Sequence, residues 1–204
     1  HGYKNMIGTF NQPEFVICDH TLLKTLLKKE LINGFSEIIK HAVIKDAELF
    51  KYLEKNQENI YDLNHQAIQK TIYHSCKIKA DIVNADLHEK GNRKLLNFGH
   101  TFGHAIEKIT SYNHGEAVSI GMIMACELSV IQGYLKEIDY KQVKSLLQIF
   151  SLPVEFQSNK IKLFDAVCKD KKRNAEQIDF VFLKSIGEAF IKPLPLIEIK
   201  KFLY

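Results

Sequence analysis

The stretch from Asn97 to Glu116, NFGHTFGHAIEKITSYNHGE, constrains this chain more than any other. His100 and His104 are four residues apart, so a helix places them on one face, one turn from each other. Gly99 and Gly103 leave bare backbone beside them, which lets another segment or a ligand come close. The apolar run Ala117 to Ala125 follows, so the imidazoles stand beside core-facing surface. Neutral imidazole is the commonest metal ligand, and two histidines one turn apart plus His114 beyond a short loop can converge on one ion. A lone helical histidine is usually a hydrogen-bonded core residue; three in one segment favour a metal. The stretch is not HExxH, so the zinc-protease arrangement fails. A further, anionic ligand has to come from elsewhere, and Glu37 is the best candidate.

The chain has 204 residues, 46% of them hydrophobic, enough for one packed core at the upper end of single-domain size. No apolar run approaches ~18 residues, so no membrane span or membrane partner is expected. Cys18, Cys76, Cys126 and Cys168 form no CxxC pair and read as ordinary small core residues of a reducing, cytoplasmic compartment. A net charge of +4 without a dense basic stripe argues against nucleic acid. Most lysines are solvated; a small anionic substrate would occupy a chosen few. The opening His1-Gly2-Tyr3-Lys4 is a loop by turn chemistry, and the expectation is a fragment of a longer protein.

In chain order, Glu14 to Cys18 suits a buried strand, and Asp19 can cap a short helix carrying Leu22, Leu23, Leu26 and Leu27. Glu30 to Lys45 keeps the 3.6 period through Leu31, Phe35, Ile38, Ile39, Ala42 and Val43. On it Glu37 shares a face with Lys40 and His41. Such a Glu–Lys pair is ordinarily a solvated ion pair; the alternative is a metal-binding carboxylate beside an ammonium that holds an anion. Asp46 caps the next helix. Tyr61 to Ala85 predicts one long helix, Asp86 to Asn92 a loop, Leu95 to Ile109 the first histidine helix and His114 to Gln132 the second, closed by Gly133. Tyr140 to Phe150 and Ile161 to Cys168 are further helices. Gln177 to Lys184 and Ala189 to Lys192 make a hairpin ended by Pro193 and Pro195. The fold class is therefore mainly α, multi-helix, with a few short strands.

Seven stretches together resemble the 3-dehydroquinate synthases, in their C-terminal, metal-binding half. They are KNMIGTFNQP (Lys4 to Pro13), LLKT (Leu22 to Thr25), GFSEIIKHAVI (Gly34 to Ile44), KADIVNAD (Lys79 to Asp86), RKLLNFGHTFGHAIE (Arg93 to Glu107), HGEAVSIGM (His114 to Met122) and KDKK (Lys169 to Lys172). The pair GHTFGHAIE and HGEAV is the most specific. The resemblance implies a zinc- and NAD-dependent cyclase of the shikimate pathway, with cobalt the alternative ion. It would convert 3-deoxy-D-arabino-heptulosonate 7-phosphate to 3-dehydroquinate and phosphate through transient oxidation, phosphate elimination, re-reduction and an aldol closure. Carried over by position, Glu37, His100 and His114 would hold zinc, and His104 would be a non-ligand in the proton-transfer network. Asn5, Lys40 and Asn97 would hold the phosphate, Lys79 and Arg93 the substrate carboxylate, and Glu89 the hydroxyl network. Lys172, or Lys171, would reach the substrate, while Lys4 and Leu22, Leu23, Lys24 and Thr25 would touch NAD.

The resemblance also implies that residues 1–20 are a remnant loop and strand of a nucleotide-binding domain. Residues 21–204 would then be the helical metal- and substrate-binding domain. Without the glycine-rich loops of that missing domain, this chain alone is expected to be inactive, and the full-length protein to be a homodimer. Three other readings remain: a carboxylate-free sugar phosphate cyclase such as a 2-deoxy-scyllo-inosose or 2-epi-5-epi-valiolone synthase, an iron-type polyol dehydrogenase, or a non-enzymatic helical module. Lys79 and Arg93 discriminate the first of these, because paired cations suit a carboxylated substrate.

Overall fold

The computed structural model describes residues 13–170 and 176–204. Side-chain caps start several of its helices. The Asp19 carboxylate accepts from the Thr21 amide and opens a 3-10 turn, His20–Thr25. Helix α1 (Lys28–Lys45) follows, then α2 (Ala47–Lys55), whose first amides are capped by Asp46. Next come α3 (Gln57–Tyr61), α4 (His65–Ala85), a second 3-10 turn (Asn92–Asn97), α5 (His100–Ile109), α6 (His114–Ile131), α7 (Glu137–Ile149) and α8 (Lys160–Asp170). Strands β1 (Gln177–Ser185) and β2 (Glu188–Pro195) pair antiparallel, and α9 (Leu196–Leu203) closes the order.

The mainly helical architecture with one hairpin is as expected, and five local expectations are corrected. Glu14 to Cys18 is not a buried strand: Phe15 and Ile17 are 76% and 81% exposed. A strand needs a ladder partner, and among the described residues none lies beside this segment. Tyr61 to Ala85 is two helices, because Leu63 is left-handed (φ 52°) and the Asn64 side chain accepts from Gln66 and Ala67; an asparagine able to cap competes with helix continuation. Leu95 to Ile109 is likewise broken, by Gly99 at φ 77°. β2 runs through Pro193, which lies opposite Asp179; on the edge of a two-stranded sheet a missing N–H costs no ladder bond. Finally, Cys18 and Cys76 are exposed and not core residues; Cys126 is buried.

Helix α6 is the axis of the packing. It is 18 residues long and passes for a membrane span by length and composition, but Glu116 and Glu127 interrupt its apolar run and 72% of it is buried by protein. A helix apolar on all sides belongs in a core. α1, α5 and β1 lie against it, and Ser129 ties the hairpin to it by accepting from the Leu183 amide at 3.1 Å.

The crossings are close enough to exclude side chains. A methyl added at Gly121 would collide with the Gly99 carbonyl and sit 2.8 Å from the Gly103 amide nitrogen; one at Gly115 would lie 2.6 Å from Asn33 Cα. α6 thus touches α5 and α1 backbone to backbone. Because these obstacles are main chain, Gly121→Ala should lower stability by about 3 kcal/mol or more. Gly34→Ala, whose methyl meets nothing within 4 Å, should raise it by up to about 1 kcal/mol. Urea unfolding midpoints of the two variants check this contrast.

Candidate metal centre

Gly99 in its left-handed conformation makes His100 the first residue of α5. A capping box makes His114 the first residue of α6: Asn113 Oδ1 accepts from the Glu116 amide at 3.0 Å, and Glu116 Oε2 from the Asn113 amide at 2.9 Å. The glycine-mediated crossings bring both helix starts against the middle of α1. There Glu37 Oε1 lies 3.5 Å from His100 Nε2 and 3.5 Å from His114 Nε2. The three ligand atoms all lie within 4.8 Å of one another.

These separations suit an ion between the groups better than bonds between them. A charge-assisted hydrogen bond would be about 2.7–2.9 Å long. Two bonds of about 2.1 Å at a tetrahedral angle put their ends about 3.4 Å apart. His100 Nδ1 is 3.1 Å from the Phe98 carbonyl and His114 Nδ1 is 3.2 Å from Glu107 Oε2. Each contact selects the tautomer protonated at Nδ1, which leaves Nε2 as a lone pair facing the carboxylate. Glu37 Oε1 is buried and accepts no hydrogen bond. Three acceptors converge with no donor, so the residues fit a cation. One carboxylate and two imidazoles suit zinc or a similar first-row ion and leave coordination positions open.

The surrounding charges follow from burial and pairing. Burial opposes ionisation of Glu37, but His100, His114 and Lys40 outweigh it and hold the carboxyl far below its usual range. Burial lowers the pKa of His100 despite Glu37. His114 is raised, first by Glu37 and then, against desolvation, by Glu107. Lys40 is 3% exposed, with its ammonium 2.6 Å from Glu37 Oε2; burial lowers its pKa against that pairing.

Beside the ligands lies a cleft of about 240 Å³ lined by Glu37, Lys40, His41, Lys79, Glu89, Arg93, Leu96, Asn97 and His100. Seven of the sequence-predicted site residues therefore meet in one place. Its floor is preset. The Asp86 carboxylate accepts from the amides of Lys90, Gly91 and Arg93, and Arg93 Nη1 donates to the Leu87 carbonyl at 2.6 Å. Asn97 donates to Glu89 Oε1 at 2.7 Å, and Glu89 holds a left-handed φ of 55°. Such strain persists where the surroundings enforce it, as they do at sites. A larger cavity, about 600 Å³, lies between the segment before α1 and α4. It contains none of the metal ligands and is not the candidate centre.

Other predicted residues fall elsewhere. The His104 ring meets His100 edge-on at 5.1 Å. Leu22, Leu23, Lys24 and Thr25 form the first 3-10 turn, where Leu23 and Lys24 line a separate cavity with Tyr61. Lys4, Asn5, Lys171 and Lys172 lie outside the described residues. Two residues that sequence reasoning did not assign also belong to the centre. His41, whose pKa is pushed down to about 4 by burial and then Lys40, bonds Ser75 at 2.8 Å and lines the cleft; its spacing of four from Glu37 was the available signal. Glu107 orients His114, and no local pattern marked it.

The fold and site together define a helical domain with a candidate metal centre at the start of two helices. The chain superposes on the 2-epi-5-epi-valiolone synthase of Streptomyces hygroscopicus subsp. jinggangensis, solved with NAD+ and Zn2+ bound, with a TM-score of 0.86 and 27% identity, covering 98% of this chain and 57% of that one. It shares its fold with a 2-deoxy-scyllo-inosose synthase (TM-score 0.84, 21% identity, 98% and 58% covered). Residues 34–173 match the family described as 3-dehydroquinate synthase C-terminal, and residues 1–33 the one described as 3-dehydroquinate synthase N-terminal. The chain belongs to the 3-dehydroquinate synthase family. It is 42% identical over 204 residues to the 3-dehydroquinate synthase of Thermoanaerobacter pseudethanolicus, covering 98% of this chain and 57% of that protein. A relative from Streptococcus thermophilus is 38% identical with the same coverage. The chain thus spans little more than half the length of these curated relatives.

Zinc titrated calorimetrically into metal-stripped chain should bind at one site. Glu37→Gln and His114→Ala should each weaken it by about 100-fold or more, Glu107→Ala by about 10- to 100-fold, and His104→Ala should leave it unchanged.

Proposed function

We propose that this chain supplies the metal and substrate site of a 3-dehydroquinate synthase acting on 3-deoxy-D-arabino-heptulosonate 7-phosphate. The observation that carries this is the convergence of Glu37, His100 and His114 at one end of a cleft lined by Lys40, Lys79, Arg93 and Asn97. Zinc, when bound, would supply a Lewis acid for the carbinol oxygen that is oxidised.

The chain's own residues do the rest. Lys40 and Asn97, with Asn5, present donors to the phosphate dianion; an ammonium held in a dry wall acts on an anion more strongly than one in water. Arg93 offers a planar fork to the carboxylate, with Lys79 beside it. Glu89 holds Asn97 in place and accepts from substrate hydroxyls. His104, adjacent to His100, belongs to the proton-transfer network. Lys172, or Lys171, meets the substrate. The described residues hold no glycine-rich phosphate loop, so the NAD site is not complete within them; Leu22 to Thr25, with Lys4, would supply one edge of it.

The domain division at residues 20 and 21, a homodimeric full-length protein and a cytoplasmic location belong to the same reading. The N-terminal family match supports a remnant of the nucleotide-binding domain at the start of the chain, but it extends to residue 33 and not to residue 20. The likeness to the valiolone synthase favours a second reading, a cyclase for a substrate without a carboxylate.

The test follows phosphate release by the full-length gene product and by this chain, with the heptulosonate phosphate, NAD and zinc. Chelator-sensitive release by the full-length protein without net NADH, and none by this chain alone, is the expected outcome. Arg93→Ala should raise KM by about 10- to 100-fold, the worth of a charged hydrogen bond. Activity on sedoheptulose 7-phosphate instead would establish the second reading.

A further inference from the structure

The sulfurs of Cys18 and Cys76 lie 3.8 Å apart, contact distance for two thiols, although 58 residues separate them in sequence. Both are exposed, while Cys126 is buried and Cys168 half-buried. Cys76 is fixed on α4. Cys18 belongs to the extended segment that leads into the first 3-10 turn and has no ladder partner among the described residues. Sulfurs in a disulfide are about 2.05 Å apart, so a shift of under about 2 Å in the less constrained partner closes the gap. Both side chains also line the 600 Å³ cavity with Val16, His20, Gln66 and Tyr73, which opens them to a small oxidant.

We propose that Cys18 and Cys76 are a reversible disulfide site whose oxidation fastens the segment before α1 to α4. With a peroxide as oxidant the chemistry balances. The Cys18 thiolate attacks one peroxide oxygen, the O–O bond breaks to give a sulfenic acid and hydroxide, and the hydroxide takes up the proton the Cys18 thiol released, giving the first water. The Cys76 thiolate then attacks the Cys18 sulfur, the S–S bond forms, and the displaced hydroxide takes a proton to become the second water. Burial and then contact with Cys18 raise the Cys76 thiol, against the pull of the Lys79 ammonium, which makes Cys76 the poorer first attacker and leaves it the second step. The bridge does not rest on the functional reading, but its place bears on it. Cys76 is three residues before Lys79, on the same side of α4, and Cys18 adjoins the turn Leu22 to Thr25.

The test treats this chain with stoichiometric hydrogen peroxide, alkylates it in denaturant and maps unreduced peptides by mass spectrometry. Alkylatable thiols should fall from four to two, with one cross-linked peptide pair containing Cys18 and Cys76. Dithiothreitol should restore all of them. Cys18→Ser should retain all three remaining thiols, Cys76→Ser should lose at most the Cys18 thiol as an uncross-linked sulfenic acid, and neither should yield the cross-linked peptide. Cleavage of the 13–19 segment in limited proteolysis should slow by at least tenfold on oxidation. An unchanged thiol count, a bridge to Cys168 or to a second copy, or unaltered proteolysis of the bridged form would overturn the proposal.

Discussion

Backbone contact between helices, made possible by glycine, is the constraint on which the rest of this structure depends. α6 meets α5 where Gly121 faces Gly99, and meets α1 where Gly115 faces Asn33. Each contact is adjacent to, or one turn from, a candidate metal ligand: Gly99 precedes His100, Gly115 follows His114, and Asn33 is one turn before Glu37. The positions of the ligand atoms are therefore fixed by main chain, which barely yields, and not by long side chains searching for one another. The apolar girth of α6 makes this arrangement stable. Its burial holds the three backbones together, and the polar site forms at the rim where the helices begin.

Helix starts are also an electrostatic choice. The unpaired amides of a first turn carry partial positive charge, which disfavours imidazolium and helps to keep His100 neutral and able to ligate. The same charge opposes a cation, and Glu37 offsets it. This carboxylate divides its work: Oε2 neutralises the buried Lys40, and Oε1 faces the two imidazoles. A divalent ion added there leaves the pocket with surplus positive charge from the metal, Lys40, Lys79 and Arg93. An anionic occupant balances it.

The sequence carried the scaffold well where a single period ran uninterrupted. α1, α6 and the hairpin emerge from spacing alone because one face or all faces of each are apolar. It misjudged positions where a single residue changes the backbone: Asn64 preferring to cap, Gly99 turning left-handed, Pro193 tolerated on an edge. The segment Phe15 to Ile17 has strand composition but no partner among the described residues, and pairing is not written in a strand's own residues. At the site, spacing singled out the histidine segment but could not choose between His104 and His114. That choice depends on which imidazole reaches Glu37 across three helices. Partners such as Phe98, acting through a carbonyl that every residue possesses, leave no trace in sequence at all.

The tip of the hairpin has a consequence for the order in which this molecule is made. Val43 carries one of the terminal carbonyls of α1 that no later residue of the helix can satisfy. Its partner is the Gly187 amide, at 2.8 Å. During synthesis α1 leaves the ribosome roughly 140 residues ahead of the group that completes its final turn, so that turn frays until a contact of high sequence separation forms. Glu37 stands only two turns earlier on the same helix. The element that presents the carboxylate therefore becomes fully rigid only after Gly187 has been made, and α1 completes its last turn only once the hairpin is in place.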